Sequence, residues 1–337
     1  MSGVIPLSKI QFGRESTLGT EVDAADILRV EGAFLDDQRE IQFVPENVGL
    51  LVDPDRTTIP FTAGAIAIPE NNVTFEQILH ILEMGIRTVS SAQDGAGSGY
   101  IWTYNLPTTA QLTPKTYTFE GGDDEQASVL AGCFVESFTI SGRAKEPLKF
   151  TANIFGRQVD DTTFTAALTI PTVEEALFQK CKFYLDDAGD GFGATQVENY
   201  LLGFTLNINT GFKARATADG NLYYSYLKQT KPEFSLSLMV EHDSSADAEI
   251  TKARAQTARL ARILCQGSAL TSAGTSYTYK TIIIDLAGKY AAIPPIENDD
   301  GSSVMNFTLN GRYNSTISTM GKIIVVNETD DLDGSVS

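Results

Sequence analysis

The sequence predicts a mainly β protein with a few helices, an α+β fold. Large apolar side chains alternate with polar ones over residues 148–154, 202–208 and 234–240, the period of strands with one buried face. Only two segments of the chain combine helical spacing of apolar residues with start and stop signals. Many alternating strands and few helices indicate sheets that bury one face each against a shared core.

The first 40 residues show little periodicity, and we expect an extended arm with one short helical turn near residues 23–28. The sequence leaves open whether this arm packs along its own domain or reaches onto a neighbouring subunit. Strands are predicted at residues 41–44 and 59–68, on either side of a turn at Pro54-Asp55.

A helix is predicted after Thr74, which has Gln77 three residues later as in a capping box. Apolar residues at positions 75, 78, 79 and 82 share one face of this helix, and Gly85 marks its end. One apolar stripe predicts a helix that lies across one face of a sheet.

Strands are next predicted at residues 100–104 and 112–119, followed by a hairpin over residues 131–159 that bends at Gly142 and Pro147. Residues 160–199 have mixed propensities, with a short helical candidate at residues 173–178. We place a domain boundary near residue 165, which gives domains at residues 1–165 and 166–337.

The second half repeats this order of elements. Strands at residues 202–208 and 234–240 flank a long segment at 211–231, and a helix is predicted over residues 245–266. Three more strands are predicted at residues 277–286, 303–310 and 322–327. The acidic tail, residues 328–337, is expected to be frayed.

Two short sequences echo each other across the halves. Phe138-Thr139-Ile140-Ser141-Gly142-Arg143 returns as Phe307-Thr308-Leu309-Asn310-Gly311-Arg312, and each copy follows a predicted helix cap at a similar distance. The echo and the shared order of elements predict an internal duplication. The alternative is two unrelated β-rich regions.

The composition limits the classes of partner. The chain has 25 Lys and Arg against 43 Asp and Glu, for a formal charge of −18, which disfavours adhesion to nucleic acid or anionic lipid. No basic and apolar leader precedes the arm, and no apolar run reaches membrane-spanning length. We therefore expect synthesis and folding in a cytoplasm, with Cys133, Cys181 and Cys265 as reduced thiols.

Candidates for chemistry are few. His80 falls beside apolar residues in the first helix, as a core-edge histidine does, and His242 lies in a Glu-His-Asp sequence with no cluster of further metal ligands. The loop Asp186–Gly191 has oxygen ligands suited to Ca²⁺, but it lacks EF-hand spacing and a distal glutamate, so a solvated turn is expected. We predict no catalytic, cofactor-binding or metal-binding residue.

A local basic run at Lys252, Arg254, Arg259 and Arg262 stands out in an acidic chain. It is either a solvated helix face or a docking surface for an acidic patch on another copy. A carbohydrate-binding module or hydrolase would need aromatic side chains and paired carboxylates along a cleft, and the single Trp102 and scattered tyrosines do not favour that class.

Three segments of the chain, residues 13–21, 44–49 and 134–156, resemble the major tail tube protein of long-tailed (siphovirus-like) bacteriophages. This resemblance implies β-sandwich or partial-barrel domains, each with a flanking helix. It also implies a non-enzymatic virion protein whose rings stack into a tube that conducts DNA. The usual subunit carries one such domain and forms hexameric rings. A duplicated chain would instead form a trimeric ring with pseudo-sixfold symmetry.

The implied partners are other copies of the chain, the tape measure and tail terminator proteins, and genomic DNA that passes without sequence-specific binding. The location is the virion tail, after synthesis in the host cytoplasm, with no membrane partner. Residues 1–40 and 211–231 are expected to contact neighbouring rings, and the acidic charge to give a low-adhesion channel wall. The alternative is another virion β protein, in a capsid decoration or a tail tip.

Overall fold

The computed structural model describes residues 3–333 and confirms a mainly β fold, with twenty-two strands and two α-helices in that range. The first half contains β1 (Lys9–Arg14), β2 (Asp26–Leu28), β3 (Leu35–Asp37), β4 (Glu40–Phe43), β5 (Thr57–Phe61), β6 (Gly64–Asn72), α1 (Ile78–Gly85), β7 (Ala92–Gln93), β8 (Tyr100–Asn105), β9 (Tyr117–Gly122), β10 (Ala127–Arg143), β11 (Lys149–Gly156) and β12 (Val159–Thr162).

The second half contains β13 (Cys181–Asp187), β14 (Leu201–Asn209), β15 (Phe212–Arg215), β16 (Tyr226–Gln229), β17 (Glu233–Glu241), α2 (Ser244–Arg254), β18 (Arg259–Ala269), β19 (Tyr279–Tyr290), β20 (Ile296–Asp299), β21 (Ser302–Gly311) and β22 (Gly321–Asn327). Short 3₁₀ turns lie at Ile5–Leu7 and Phe178–Lys180.

One antiparallel sheet runs through both halves in the order β3-β6-β11-β10-β14-β17-β21-β20. We call it the eight-strand sheet. The halves meet where β10 pairs with β14, with Phe138 opposite Ile208 and Ile140 opposite Leu206. Its two edges, β3 and β20, each pair with one neighbouring strand in the structure.

Two further sheets cover the apolar side of the eight-strand sheet. Their orders are β2-β1-β9-β10-β12 and β13-β18-β19-β22-β8-β7. Strand β10 belongs to two sheets, because its register shifts between Val135 and Ser137 and the bulge bends the strand. The main core, which includes Phe138, Leu206 and Leu236, is packed between these layers.

The strand pairing of the first half is repeated in the second. In the first half, the two-stranded extension β4–β5 lies in the chain between β3 and β6, and α1 follows β6. In the second half, the extension β15–β16 lies between β14 and β17, and α2 follows β17. Strand β9 then pairs with β10 as β18 pairs with β19, while β12 and β22 occupy matching places beside β10 and β19. Strands β1 and β13 complete the pattern beside β9 and β18.

The two similar six-residue sequences do not lie on equivalent strands, so the prediction that they are copies of one repeated element was wrong. Phe138 lies on β10, whereas Phe307 lies on β21, and the pairing pattern matches β21 with β11. Both echoes alternate between the core and the open face of the same sheet, which gives them similar residues without a shared position.

The second helix ends at Arg254, and the prediction that it continues to residue 266 was wrong. Gln256 has a φ of 52°, and from Arg259 the chain pairs as β18 with β13 on one side and β19 on the other. Several of the apolar side chains in this stretch are buried, because sheets cover both sides of the strand. Such a dense apolar run does not distinguish a buried strand from a buried helix.

Three smaller predictions also differ from the structure. Residues 26–28 form strand β2 where a helical turn was expected, and residues 173–177 are not helical. The acidic tail is packed up to residue 333: Leu332 is buried, and Glu328 accepts hydrogen bonds from Ser98 and Thr271. The last four residues of the predicted tail, 334–337, lie outside the described part.

The expectation of three reduced thiols was wrong for two of them. Cys181 on β13 lies directly opposite Cys265 on β18, and the two form a disulfide. Cys133 is a buried free thiol on β10. The bonded cysteines are 84 residues apart, so only the strand register brings them together.

Candidate assembly and channel surfaces

The structure places His80 in the core. Its Nδ1 lies 3.1 Å from the hydroxyl oxygen of Tyr117, and its ring packs edge-on against Phe12. Burial, together with the nearby positive charge of Arg14, lowers the pKa of His80 to about 3. The imidazole is therefore neutral at ordinary pH and closed off from any substrate, as a core histidine is.

The acidic loop after β13 is held by protein groups. The carboxylate of Asp186 accepts hydrogen bonds from the backbone N–H groups of Gly193, Ala194 and Thr195 at 2.6–3.1 Å. Asp187 forms ion pairs with Lys252 and Arg259. The oxygens of Asp186 bind the protein itself, and Asp187, Gly189 and Asp190 are exposed, as in the solvated turn that was expected.

His242 is partly exposed, and its Nε2 lies 3.3 Å from a carboxylate oxygen of Asp247 in the first turn of α2. Within residues 3–333, no three His, Cys, Asp or Glu side chains are grouped as ligands for a metal ion. The described helices include none that is long and apolar enough to cross a membrane.

The basic run predicted on the second helix is divided between two elements. Arg259 and Arg262 lie on β18, where Arg259 forms ion pairs with Glu249 and Arg262 a bidentate pair with Asp285. Lys252 on α2 lies 3.3 Å from Asp187. These three charges are neutralised within the chain. Arg254, the fourth residue of the run, is exposed at the end of α2, so the run does not form one continuous docking face.

Trp102 is also unavailable to a ligand. It is buried on β8, and its Nε1 donates a hydrogen bond of 3.1 Å to the backbone oxygen of Thr329. Its ring therefore does not offer the exposed aromatic platform that a carbohydrate-binding module requires.

The residues that carried the family resemblance hold the first half together. Glu15 is buried and accepts four hydrogen bonds, from the hydroxyls of Thr116 and Thr118 and from the backbone N–H groups of Gly19 and Gly132. Gly19 has a φ of +68°, a conformation that side chains with a Cβ rarely adopt. This part of the arm is therefore a fixed element of its own half.

Two open strand edges form the first candidate assembly surface. Strands β3 and β20 lie at opposite edges of the eight-strand sheet, and both are largely exposed. Each edge presents backbone N–H and C=O groups that another strand can pair with. The sequence did not predict either strand, because both are short and lack alternating apolar residues.

The β4–β5 hairpin forms a second surface. It is a two-stranded sheet of its own, joined by a loop that includes the family-like residues 44–49. Its exposed apolar side chains are Ile41, Phe43, Val48, Leu50, Leu51, Val52 and Ile59. Contiguous exposed apolar patches are typical of interaction sites, so this hairpin is a second candidate assembly surface.

The third surface is the open face of the eight-strand sheet between β11 and β21. Its middle positions carry hydroxyl and amide side chains, and we call it the amide–hydroxyl face: Ser137, Thr139, Ser141, Thr151, Asn153, Thr205, Asn207, Asn209, Ser235, Ser237, Asn306, Thr308 and Asn310. All are half-buried or exposed, and they alternate with core residues. The strand alternation predicted this face, but not its continuity across both halves.

Comparisons with known proteins identify a family for the chain. A family model described as phage tail tube protein matches residues 7–317, nearly the whole chain. No curated protein matches the sequence. The family supports a structural component of the virion tail, and the mainly β structure fits it. The chain therefore belongs to the phage tail tube protein family.

Proposed function

We propose that three copies of this chain close into a ring, and that the rings stack into a tube that conducts DNA. The observation that carries this proposal is the pairing of β10 with β14. There, the last strand of the first four-strand unit, β3-β6-β11-β10, pairs with the first strand of the second unit, β14-β17-β21-β20.

The same junction is available between copies. Strand β20 ends the second unit, and β3 begins the first unit of the next copy, so pairing β20 with β3 repeats the β10–β14 contact. All neighbouring strands of the eight-strand sheet are antiparallel, and their number is even. Adding another copy at this edge therefore preserves the alternation of strand direction and leaves no open edge in a closed ring.

Three copies give a barrel of twenty-four strands, three times the eight in one sheet. At a spacing of about 4.8 Å, the circumference is roughly 115 Å and the diameter about 37 Å, before strand tilt widens it. Such a barrel has a lumen that admits double-stranded DNA. The two four-strand units of each chain give the trimer its pseudo-sixfold symmetry and support domains at residues 1–165 and 166–337.

Ring stacking is assigned to the β4–β5 hairpin. A tube grows by head-to-tail contacts, in which one surface of a ring binds a different surface of the next. The exposed leucines at the hairpin tip supply apolar area for such a contact. We further propose that the protein has no catalytic role, and that the tape measure and tail terminator proteins meet the tube in the lumen and at its end.

The mass of a single ring tests the proposal. Native mass spectrometry of dissociated tubes is expected to give a species of about 109 kDa, three times the chain mass of 36.4 kDa. Electron microscopy of the same sample is expected to show stacked rings. A six-chain ring, twice that mass, would overturn the trimer, and closed oligomers that never polymerise would favour a decoration or tail-tip protein.

A further inference from the structure

The two-stranded extensions of the two halves differ in their surroundings: one face of β15–β16 is covered by the chain itself, whereas β4–β5 is exposed. Resting on the proposed function, we infer that the β4–β5 hairpin docks on the second half of a neighbouring copy in the same ring. It takes there the place that β15–β16 takes on the first half of its own chain. The partner is therefore a second copy, and the contact is lateral.

A Gly-Arg sequence at the ends of β11 and β21 aligns the two halves. The N–H of Arg157, after β11, donates to the backbone oxygen of Ala131 on β10. The N–H of Arg312, after β21, donates in the same way to Ala287 on β19. Because β19 matches β10 in the repeated strand pairing, the two arginines occupy equivalent positions.

The strand register carries this alignment to the extensions. Three residues before each arginine, the pairing crosses three strands through two equivalent rows: Ile154–Ile66–Leu35 in the first half and Leu309–Leu236–Leu206 in the second. Six residues after the last member of its row, Ile41 of β4 is equivalent to Phe212 of β15. Seven residues before the middle member, Ile59 of β5 is equivalent to Gln229 of β16.

The registers within the two extensions agree with this match. Phe43 lies opposite Thr57 in β4–β5, and Ala214 lies opposite Leu227 in β15–β16. Phe43 and Ala214 each come two residues after the first matched position, and Thr57 and Leu227 each come two residues before the second. The pairing inside each hairpin thus supports the alignment obtained from the eight-strand sheet.

The equivalent side chains have opposite exposure. In β15–β16, Phe212 is 1% exposed and Gln229 is 6% exposed. In β4–β5, Ile41 is 55% exposed, Phe43 is 78% exposed and Ile59 is 38% exposed. The hairpin therefore presents apolar side chains to solvent at positions where its counterpart is covered, as a face does when its partner is absent.

The first half supplies the cover of β15–β16. Phe212 and Tyr224 form a small core with Phe134 of β10, and Phe155 of β11 packs against it. The Tyr224 hydroxyl also donates to the backbone oxygen of Gly132 on β10. The pairing of β14 with β10 places the extension there, and in the proposed ring β3 pairs in the same way with β20 of the neighbouring copy. The β4–β5 hairpin is thereby placed on that copy's second half.

The two equivalent arginines differ in what they bind. The Cζ atom of Arg157 lies 4.9 Å from the ring centre of Tyr223 and 5.2 Å from that of Tyr224. Its guanidinium also donates to the backbone oxygen of Ser225. Arg312 is exposed, and within residues 3–333 its side chain forms no ion pair and hydrogen-bonds only to the preceding backbone oxygen. Arg312 is thus free to bind a partner outside the chain.

The hairpin carries acidic residues where the β15–β16 extension contacts Arg157. Counting back from the matched positions in β5 and β16, Asp53 is equivalent to Tyr223 and Asp55 to Ser225. Both aspartates are exposed. Arg312 of one copy therefore meets two carboxylates of the next, and a charge-assisted pair between copies replaces the cation–π contact within the chain.

The tip of the hairpin stays free for the contact between rings. In the second half, the corresponding tip, residues 216–222, is exposed, although Phe212 and Tyr224 on either side of it are buried. Residues 48–52 of the β4–β5 hairpin include the exposed leucines assigned to ring stacking. The base of the hairpin therefore binds within a ring, and its tip binds between rings.

Exchanging the charges tests the ion pair. Arg312→Glu alone, and Asp53→Arg with Asp55→Arg, each place like charges together across the contact, and each is expected to raise the protein concentration required for ring assembly about tenfold or more. Size-exclusion chromatography measures it. The chain with all three changes is expected to return to within about threefold of the wild-type concentration. Arg254→Glu, at another exposed arginine, is the control and should have no such effect.

A crosslink tests the location. Phe134 pairs with the residue before the first Gly-Arg sequence and Lys289 with the residue before the second, so the exposed Lys289 takes the place of Phe134. Ile41→Cys with Lys289→Cys, treated with a short bismaleimide after assembly, is expected to give covalent dimers and trimers and nothing larger on denaturing gels. Wild-type tubes are the blank, because Cys133 is buried and the other two cysteines are bonded. Each single-cysteine variant should remain at one chain mass.

The outcomes separate this contact from the proposed function. Covalent species larger than six chains would show that the hairpin base joins rings, which overturns lateral docking and leaves the tube standing. Crosslinking that stops at six chains supports lateral docking and overturns the trimer. Tubes that form without any crosslink, or a combined charge variant that fails to recover, overturn the docking. Failure of the wild-type protein to form rings under any condition overturns the proposed function and, with it, this contact.

Discussion

Glu83 and Glu249 occupy the same place in the two halves: each lies five residues after the first residue of its helix, Ile78 in α1 and Ser244 in α2. Both are buried, and both accept a bidentate pair from an arginine and a hydrogen bond from a tyrosine hydroxyl. Glu83 binds Arg14 and Tyr117, and Glu249 binds Arg259 and Tyr290. The repeated strand pairing thus extends to one buried ionic cluster in each half.

Removing one carboxylate should destabilise its half of the chain. Glu249→Ala leaves the Arg259 guanidinium, which is 2% exposed, with the half-exposed Asp187 as its remaining carboxylate partner, and we expect a loss of about 3–5 kcal/mol in the free energy of unfolding. Urea unfolding of unassembled protein measures it. Replacing both partners, as Glu249→Leu with Arg259→Met, should recover much of the loss, because no buried charge then remains uncompensated.

Exposed Glu40→Ala is the control for this prediction and should change the unfolding free energy by less than about 0.5 kcal/mol. A loss for Glu249→Ala no larger than that of the control would show that the cluster contributes no stability.

The neutral His80 should make the protein less stable in acid. Its folded pKa of about 3 lies below the unfolded value of about 6.5, so between these values the unfolded chain binds a proton that the folded chain does not. The free energy of unfolding should fall by about 1.4 kcal/mol for each pH unit well below 6.5 from this group alone. Urea unfolding at pH values from about 7.5 to about 4.5, on both sides of the unfolded histidine pKa of about 6.5, measures the slope.

The matched variant is His80→Met, which cannot be protonated. Its stability should decline less steeply with falling pH than that of the wild type, and the two should differ little in slope above about pH 7. Parallel curves across the acid range would contradict a histidine held neutral by burial.

Blocking one strand edge should prevent ring closure without unfolding the chain. Asp300 and Gly301 have positive φ values and form a two-residue turn between β20 and β21. In such a hairpin Asp299 and Ser302 are the hydrogen-bonded pair, which turns the N–H of Asn298 towards the open edge. Asn298→Pro removes that donor, and we expect monomers in place of rings on size-exclusion chromatography.

Asn298→Ala is its control, because it loses the same side-chain hydrogen bond to Gly301 but keeps the backbone donor. It should assemble as the wild type does. Normal rings from the proline variant would exclude β20 as the edge that pairs between copies.

Adding a charge to the hairpin tip should uncouple stacking from ring formation. Leu51 is fully exposed, so Leu51→Asp should change the unfolding free energy by less than about 0.5 kcal/mol. A charge buried between rings is costly, and we expect single rings with few or no tubes in electron micrographs. The exposed Ile170→Asp is the matched control. Tubes of ordinary length from Leu51→Asp would place the stacking contact elsewhere.

Alternation predicted the central strands well because it depends on local sequence. Strands β11, β14 and β17 lie close to the predicted residues. The predicted capping box was wrong: Thr74 accepts a hydrogen bond from the N–H of Gln77, but α1 begins only at Ile78, and the Gln77 side chain donates to the backbone oxygen of Ile27. The pattern missed short edge strands such as β3 and β20. Their side chains are largely exposed on both faces, so these strands show no alternation of apolar and polar residues.

Helix α1 is more deeply buried than its local sequence pattern predicts. A single apolar stripe was predicted, yet all eight of its residues are buried, including Glu83 and His80. The helix lies between β10 and β8, and the charge of Glu83 is compensated by Arg14 from another part of the chain. A charged residue in a helix pattern ordinarily predicts an exposed face, and only the tertiary contact reverses that prediction.

The sequence by itself determined the fold class, the central strands, the presence of two helices and the resemblance to a tail tube family, because these depend on periodicity and short local motifs. Tertiary structure alone decided the pairing of β10 with β14, the disulfide between Cys181 and Cys265, and the matching clusters around Glu83 and Glu249. Each of these joins residues distant in the chain, and strand register, which local patterns leave undetermined, brings them together.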